Sequence, residues 1–307
     1  MRQLIPDVFS PVMNVGKPYS STLKPEKEKI NIYYVNLING LYIMFLSARE
    51  DDFFPTCKFR LAVAGKGGVG KTIIAAMIGR YLMEKGKKVL LVDADPPMGL
   101  AYMFGVDPIK TIGSYRDKLL KNHKVRRELE SATVKDILVR EALIHLDEQT
   151  SMLVMGKDES TGCFCGINDI LKYGIGSIAK DYDAMVVDCE AGLEQVKRRV
   201  LDSINVLLVI SDMTARSINT ARQVAEMIVR GDADIVLPKK AGLVVNRYKE
   251  NKAFLSQIKE KTGLDLLTTV PEDENISEID ISGGTITDLP TEAPSYVAVT
   301  TMLELMF

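Results

Sequence analysis

One stretch of the sequence has the residue types and spacing needed to hold phosphate: Gly65-Lys66-Gly67-Gly68-Val69-Gly70-Lys71-Thr72. It fits G-x-x-x-x-G-K-[ST] and stands between an apolar run, Arg60–Ala64, and a helix-length segment, Lys71–Lys85. Gly65, Gly67, Gly68, Val69 and Gly70 offer backbone N–H groups that can curl around phosphate oxygens, and the positive end of the following helix adds to the attraction. In such a loop Lys71 holds the β- and γ-phosphates of a nucleotide, and the Thr72 hydroxyl ligates Mg²⁺.

Carboxylates follow at matching places. Asp93 and Asp95 stand just after the run Lys88–Val92, where parallel sheets bind ligands at their carboxyl ends. Asp188 ends the apolar run Ala184–Val187, the Walker B pattern, and would hold Mg²⁺ through a water. Its charge at a buried strand end is costly unless a metal or donors are near. Asn246 and Arg247 end another apolar run, and an asparagine amide offers a base edge both a donor and an acceptor.

A different chemistry is written in Gly162-Cys163-Phe164-Cys165-Gly166. In extended backbone the two thiols lie on one side. Two sulfurs are half of what Zn²⁺ or a similar ion wants, and neither His123 nor His145 sits in an adjacent ligand-spaced motif. A two-fold dimer resolves the deficit, because two chains bring four thiolates to one ion or cluster on the axis. The alternative is a pair of reduced cysteines packed as small hydrophobes.

The elements that must position these groups are legible from Cys57 onward. Strands are expected at Arg60–Ala64, Lys88–Val92, Ser151–Met155, Ala184–Val187, Val206–Ile210, Lys240–Val245 and near Leu267–Val270. Helices are expected at Lys71–Lys85 and in parts of Tyr115–Leu146, Ile167–Ala179, Leu193–Leu201, Ser217–Val229, Ala253–Thr262 and Ser295–Met306. Buried strands separated by helix-length segments imply an α/β fold with a mostly parallel central sheet and helices on both faces.

The 307 residues are 46 % hydrophobic and 26 % charged with a formal net charge of −2, which excludes a disordered or fibrous chain. The basic excess of a phosphate-binding DNA partner is absent, so no nucleic acid is expected. Four cysteines are too few for a disulfide scaffold, and with no secretory signal at the start the expected location is cytoplasmic. Residues 58–307 read as one domain, and residues 1–57 as an extension of doubtful structure. Within it Ile30–Ala48 carries no charge. It suits a hairpin or helix packed on the main domain, a marginal membrane span weakened by Asn31, Asn36 and Asn39, or a stretch outside the native chain, with Met44 as an alternative start.

The loop K-G-G-x-G-K-[ST], with its second lysine Lys66, resembles the deviant-Walker-A ATPases, the MinD/ParA-like branch of the SIMIBI-class P-loop NTPases. The resemblance implies a homodimer sandwiching ATP and Mg²⁺, with Lys66 reaching the partner's phosphates and acting catalytically beside Lys71. It makes Asp93-Ala94-Asp95-Pro96 the switch I segment, with Asp95 orienting the attacking water and Asp93 supporting the Mg²⁺ water shell. It places Asn246 and Arg247 at the adenine, with Pro271 and Asp273 in a later adenine-side loop.

Leu153-Val154-Met155-Gly156, the Cys163–Cys165 pair, Asp188-Cys189-Glu190-Ala191-Gly192-Leu193-Glu194, Arg198-Arg199 and Ser211-Asp212-x-Thr214 look most like the CooC-type branch. Those proteins assist nickel insertion into carbon monoxide dehydrogenase. The resemblance implies that Cys163 and Cys165 bind Zn²⁺ or Ni²⁺ at the dimer interface, and that a client metalloenzyme is the partner. Pro97-Met98-Gly99 and Cys189 depart from the usual pattern, and Cys189 reads as packed rather than ligating. Two other classes stay open. One is a reductase like the nitrogenase iron protein, with an interfacial Fe–S cluster, although that family spaces its cysteines widely. The other is a positioning or partition role of the MinD/ParA type, although Ser295–Phe307 carries no Lys or Arg for a membrane helix.

Overall fold

Unbroken apolar runs form strands where both faces of a sheet are covered. The computed structural model has that arrangement, and it describes residues 19–23, 30–37, 41–47, 59–122, 132–156, 174–189, 204–230 and 238–306. β1 (Tyr19–Leu23), β2 (Ile30–Leu37) and β3 (Leu41–Ser47) make an antiparallel sheet of their own. β4 (Phe59–Gly65) leads to α1 (Lys71–Glu84), and β5 (Val89–Asp93) to α2 (Gly99–Met103). Next come α3 (Ile112–Lys121), α4 (Val134–Glu141), β6 (Leu143–His145) and β7 (Thr150–Val154). β8 (Ala184–Asp188), β9 (Val206–Ser211), α5 (Ala215–Arg230) and β10 (Lys240–Tyr248) follow. Then come α6 (Lys252–Ser256), α7 (Ile258–Thr262), β11 (Leu266–Pro271), α8 (Glu274–Ser282) and α9 (Pro294–Met306).

The main sheet has eight strands in the order β11-β10-β9-β4-β8-β5-β7-β6. Every pairing in it is parallel except β6 with β7. Alternate strand residues feed two cores. Ala62, Leu90 and Val187 pack with α3, α4, α5 and α7, whereas Leu61, Leu91 and Val186 pack with α1, α2, α8 and α9. Helices therefore cover both faces, as the apolar runs required. β4 is central, and its neighbours β8 and β9 come much later in the chain, so the crossovers diverge at this strand and open a crevice at its carboxyl end.

Three details differ from the sequence reading or complete it. Leu143–His145, inside a segment expected to be helical, pairs antiparallel with β7, because three residues at a sheet edge are too short for periodicity to reveal. The short helices α2 and α8 were not foreseen; each is started by a cap rather than by an apolar stripe. The uncharged stretch in the extension forms β2 and β3, paired from Asn31↔Ser47 to Leu37↔Leu41, rather than a helix. Its β-branched and aromatic residues and the hairpin signal Asn39-Gly40 suit that outcome. Among the described residues no helix is long and apolar enough to cross a membrane.

α9 is locked to α1 by a buried polar knot. Arg80 Nε donates to Glu84 Oε1 at 2.7 Å, and Nη1 donates to the carbonyls of Ile286 (3.0 Å) and Leu289. The guanidinium lies 4.4 Å from the Tyr296 ring centroid, and the Tyr296 hydroxyl donates to Glu84 Oε2 at 2.7 Å. Removing the arginine takes a donor from both carbonyls, of which that of Ile286 keeps the Leu289 N–H at 3.3 Å. Arg80→Met is therefore expected to cost about 2–3 kcal/mol. A fall in the thermal unfolding midpoint larger than that of Tyr296→Phe checks this.

Candidate functional site

The phosphate loop leaves the end of β4, and its glycines are required by space as well as by torsion. Gly65 has φ 144°, and a Cβ there would collide with the Ile210 carbonyl on the paired strand β9. Gly70, at φ 92°, caps α1 with no side chain of its own, and a Cβ would strike the Asn246 amide. The first N–H groups of α1 thus face the loop without a side-chain cap, which is the arrangement that binds anions. Lys71 is buried and its Nζ donates to the Lys66 carbonyl at 3.4 Å, closing the loop on itself. Lys66 is half-buried, and its ammonium has no bond among the described residues.

Two carboxylates stand side by side on the adjacent strands β5 and β8, where Asp93 and Asp188 are register partners. Both have no exposed surface, but they differ in what holds them. Asp93 Oδ2 accepts from Ala101 N–H at 3.0 Å and Oδ1 from Asp95 N–H at 3.2 Å. It therefore ties the switch I segment to the start of α2, beyond the water-shell role expected of it. Met98, in a left-handed conformation at φ 60°, stands at the N-cap position of α2 with no side-chain cap bond. Gly99 then packs on Thr72, with its ideal Cβ position 3.2 Å from Thr72 Cγ2.

Asp188 has no such help. Neither of its carboxylate oxygens has a hydrogen-bond partner among the described residues. Burial pushes its carboxyl up to about 7, with the nearby Thr72 hydroxyl partly offsetting the rise. Burial likewise lifts Asp93 to about 6, against its backbone donors. Asp95 is raised by burial and lowered by Lys71. An orphaned buried carboxylate beside a threonine hydroxyl fits Mg²⁺. Among the described residues no three His, Cys, Asp or Glu side chains cluster to cage an ion. The fit is therefore to a hydrated ion held by Thr72, by Asp188 through water and by phosphate oxygens. Such an ion would supply neutralisation of phosphate charge.

At the far side of the loop, β10 ends in Asn246 and Arg247. Asn246 Nδ2 donates to the Val69 carbonyl at 2.8 Å, leaving its other N–H and Oδ1 for a base edge. Arg247 Nη1 donates to the Gly68 carbonyl at 3.2 Å. Pro271 ends β11 opposite Tyr248 of β10. Asp273, expected in an adenine-side loop, is held by four donors. Its Oδ1 accepts from Asn275 N–H (3.1 Å) and Nδ2 (2.7 Å), and its Oδ2 from Ser295 N–H (2.9 Å) and Oγ (2.7 Å). Burial pushes this carboxyl up, but the Ser295 and Asn275 donors outweigh it and leave it below the usual range. With four donors, Asp273 is a clamp between α8 and α9. Ser217 Oγ lies 3.0 Å from Ser211 Oγ and accepts from Asp212 N–H at 3.1 Å. It fixes the end of β9 against which Gly65 packs; the pattern Ser211-Asp212-x-Thr214 is its sequence signal.

Cys163, Cys165 and Glu190–Gly192 lie outside the described residues. Cys189 is buried, and burial drives its thiol far up, which suits a packed rather than a ligating role.

A parallel sheet that brings a phosphate loop and two carboxylates together at adjacent strand ends defines a P-loop nucleoside triphosphatase. The chain belongs to the CobQ/CobB/MinD/ParA nucleotide binding domain family, matched over residues 61–286, and is an ATPase of that class. It is 33 % identical over 248 residues to an uncharacterized ATP-binding protein of Methanocaldococcus jannaschii, covering 80 % of this chain and 96 % of the relative. It is 25 % identical over 250 residues to the carbon monoxide dehydrogenase accessory protein CooC of Rhodospirillum rubrum, covering 75 % and 90 %. In fold it is similar to a ParA family ATPase of Chlorobium tepidum, with a TM-score of 0.62, 18 % identity, and coverage of 81 % and 99 %. It is also similar to the MinD protein of Pyrococcus horikoshii complexed with Mg-ADP, with a TM-score of 0.59, 21 % identity, and coverage of 81 % and 95 %.

The raised carboxyls set a pH dependence. Native Asp188 and Asp93 keep their protons above the ordinary value of 3.8, so the native state binds more protons than the unfolded chain between that value and about 7. Stability of the metal-free and nucleotide-free protein therefore falls as pH rises through this window. Asp188→Asn is expected to unfold at a higher temperature than the wild type at about pH 8, with the gap closing toward about pH 4. Paired thermal scans across pH check it, and a constant gap would count against the carboxyl.

Proposed function

We propose that the protein is a dimeric ATPase that loads or releases a metal ion, Ni²⁺ or Zn²⁺, for a client metalloenzyme such as carbon monoxide dehydrogenase. The observation that carries the nucleotide chemistry is Asp188, buried beside Thr72 and without a hydrogen-bond partner among the described residues, at the mouth of a preformed phosphate loop. Lys71 holds the phosphates, and Asp95 orients a water for attack on the γ-phosphorus as the bond to the bridging oxygen breaks. Lys66, with no bond of its own among the described residues, reaches the phosphates of the partner chain and meets the charge that builds there.

The metal end of the proposal is supported by Gly162-Cys163-Phe164-Cys165-Gly166 and by the likeness to the Rhodospirillum rubrum accessory protein. Two chains supply four thiolates from Cys163 and Cys165 to one ion on the two-fold axis. ATP favours the closed pair and its hydrolysis relaxes it, so the thiolates gather and separate with the nucleotide state. The cytoplasm, where thiols stay reduced, suits this chemistry.

Lys66→Ala is expected to leave ATP affinity nearly unchanged and to lower kcat about 100-fold; nucleotide titration with steady-state hydrolysis separates the two. Wild-type protein purified anaerobically is expected to hold about one Zn²⁺ or Ni²⁺ per two chains. The double variant Cys163→Ser, Cys165→Ser is expected to hold none while still dimerising with ATP. Equal metal in both proteins would remove the metal site. A cluster chromophore in the wild type would favour the reductase reading instead.

A further inference from the structure

In a regular strand successive side chains point to opposite faces of the sheet. Asn246 and Arg247 are successive residues of β10, yet both reach the same phosphate loop. Asn246 Nδ2 donates to the Val69 carbonyl and Arg247 Nη1 to the Gly68 carbonyl, on consecutive loop residues. Two backbone features make this geometry. The pairing of β10 with β11 shifts register once between Leu243 and Val244 and again after Val245↔Thr269, resuming at Tyr248↔Pro271, so the second irregularity falls on these two residues. Arg247 itself has φ 51°, a left-handed conformation rare for a residue other than glycine. Irregularities of this kind re-aim a side chain, and here the re-aimed side chain is the guanidinium.

β10 is not a neighbour of β4; β9 lies between them. The loop is therefore held on one side by strand pairing at Gly65↔Ile210 and on the other by side chains that cross the end of β9. Both bonds end on carbonyls. A carbonyl turned outward to accept them leaves the N–H groups of the same peptides facing the other way, as an anion cradle needs.

We infer that Arg247 is a positioning residue for the phosphates: it holds the Gly68 carbonyl so that the loop stands ready for the polyphosphate before a base arrives. This rests on the nucleotide-site reading above but is independent of the cysteine pair. It differs from a base contact in what it does to a ligand that has no base.

The test measures binding of Mg-ATP and of Mg-tripolyphosphate, which lacks base and sugar, by calorimetry on the full chain. Arg247→Ala is expected to weaken both ligands by the same factor, about three- to tenfold, the worth of one lost hydrogen bond. Arg247→Gly, which suits φ 51° but lacks the guanidinium, is expected to show the same loss, and Arg247→Lys to recover part of it. The loss is expected in KM for ATP rather than in kcat. Weakened ATP with unchanged tripolyphosphate would overturn the inference in favour of a base contact. Full binding by Arg247→Gly would overturn it in favour of a purely backbone effect. Wild-type protein that binds neither ligand would overturn the nucleotide-site reading together with this inference, whereas absence of metal at the cysteines would leave it standing.

Discussion

A carboxylate buried without a hydrogen-bond partner is costly, and among the described residues Asp188 has none. The cost is unavoidable if a strand in the middle of the sheet is to end in a group that answers to a cation. β8 is flanked on both sides by strands whose own polar ends are committed: β4 by its phosphate loop, β5 by Asp93 and the switch I turn. Water is excluded by the same packing that makes the strands apolar. The site is thus electrostatically incomplete in the protein alone, and a hydrated divalent ion with its phosphates is the chemistry that completes it.

The rest of the site can be understood as rigid support for that unfinished centre. Asp93 has the same burial as Asp188 but is satisfied by backbone donors, so it acts as a fastener for α2 and switch I. The phosphate loop is closed by Lys71, braced at Gly65 by β9 and tied at Gly68 and Val69 by β10. Ser211 and Ser217 fix the end of β9 that carries this brace. Farther out, Asp273 clamps α8 to α9, and Arg80 with Tyr296 clamps α9 to α1, the helix whose first turn faces the phosphates.

The fold was largely legible in the chain because its central strands are covered on both faces and so read as apolar runs of Val, Leu, Ile and Ala. Asp93 and Asp188 could be found by their places at the ends of such runs. The elements that escaped are those without a period to read: the three-residue edge strand β6 and the capped helices α2 and α8. Asp273 is instructive, since the resemblance places it in an adenine-side loop but says nothing of the four donors by which it also clamps α8 to α9. Two of those donors come from Ser295, a residue far along the chain.

Local pattern alone therefore established the phosphate loop, the carboxylates that accompany it, the parallel sheet that carries them and the paired cysteines. These depend on residue type and short spacing, which a linear chain displays directly. The fold alone settled which of two equivalent-looking aspartates is satisfied and which is not. It also turned consecutive residues of β10 toward one loop. Those outcomes depend on donors and carbonyls brought together from far apart in the chain, as in the bond from Asn246 to Val69 at a separation of 177 residues. No spacing rule reports such a distance, because it exists only once the strands have taken their order.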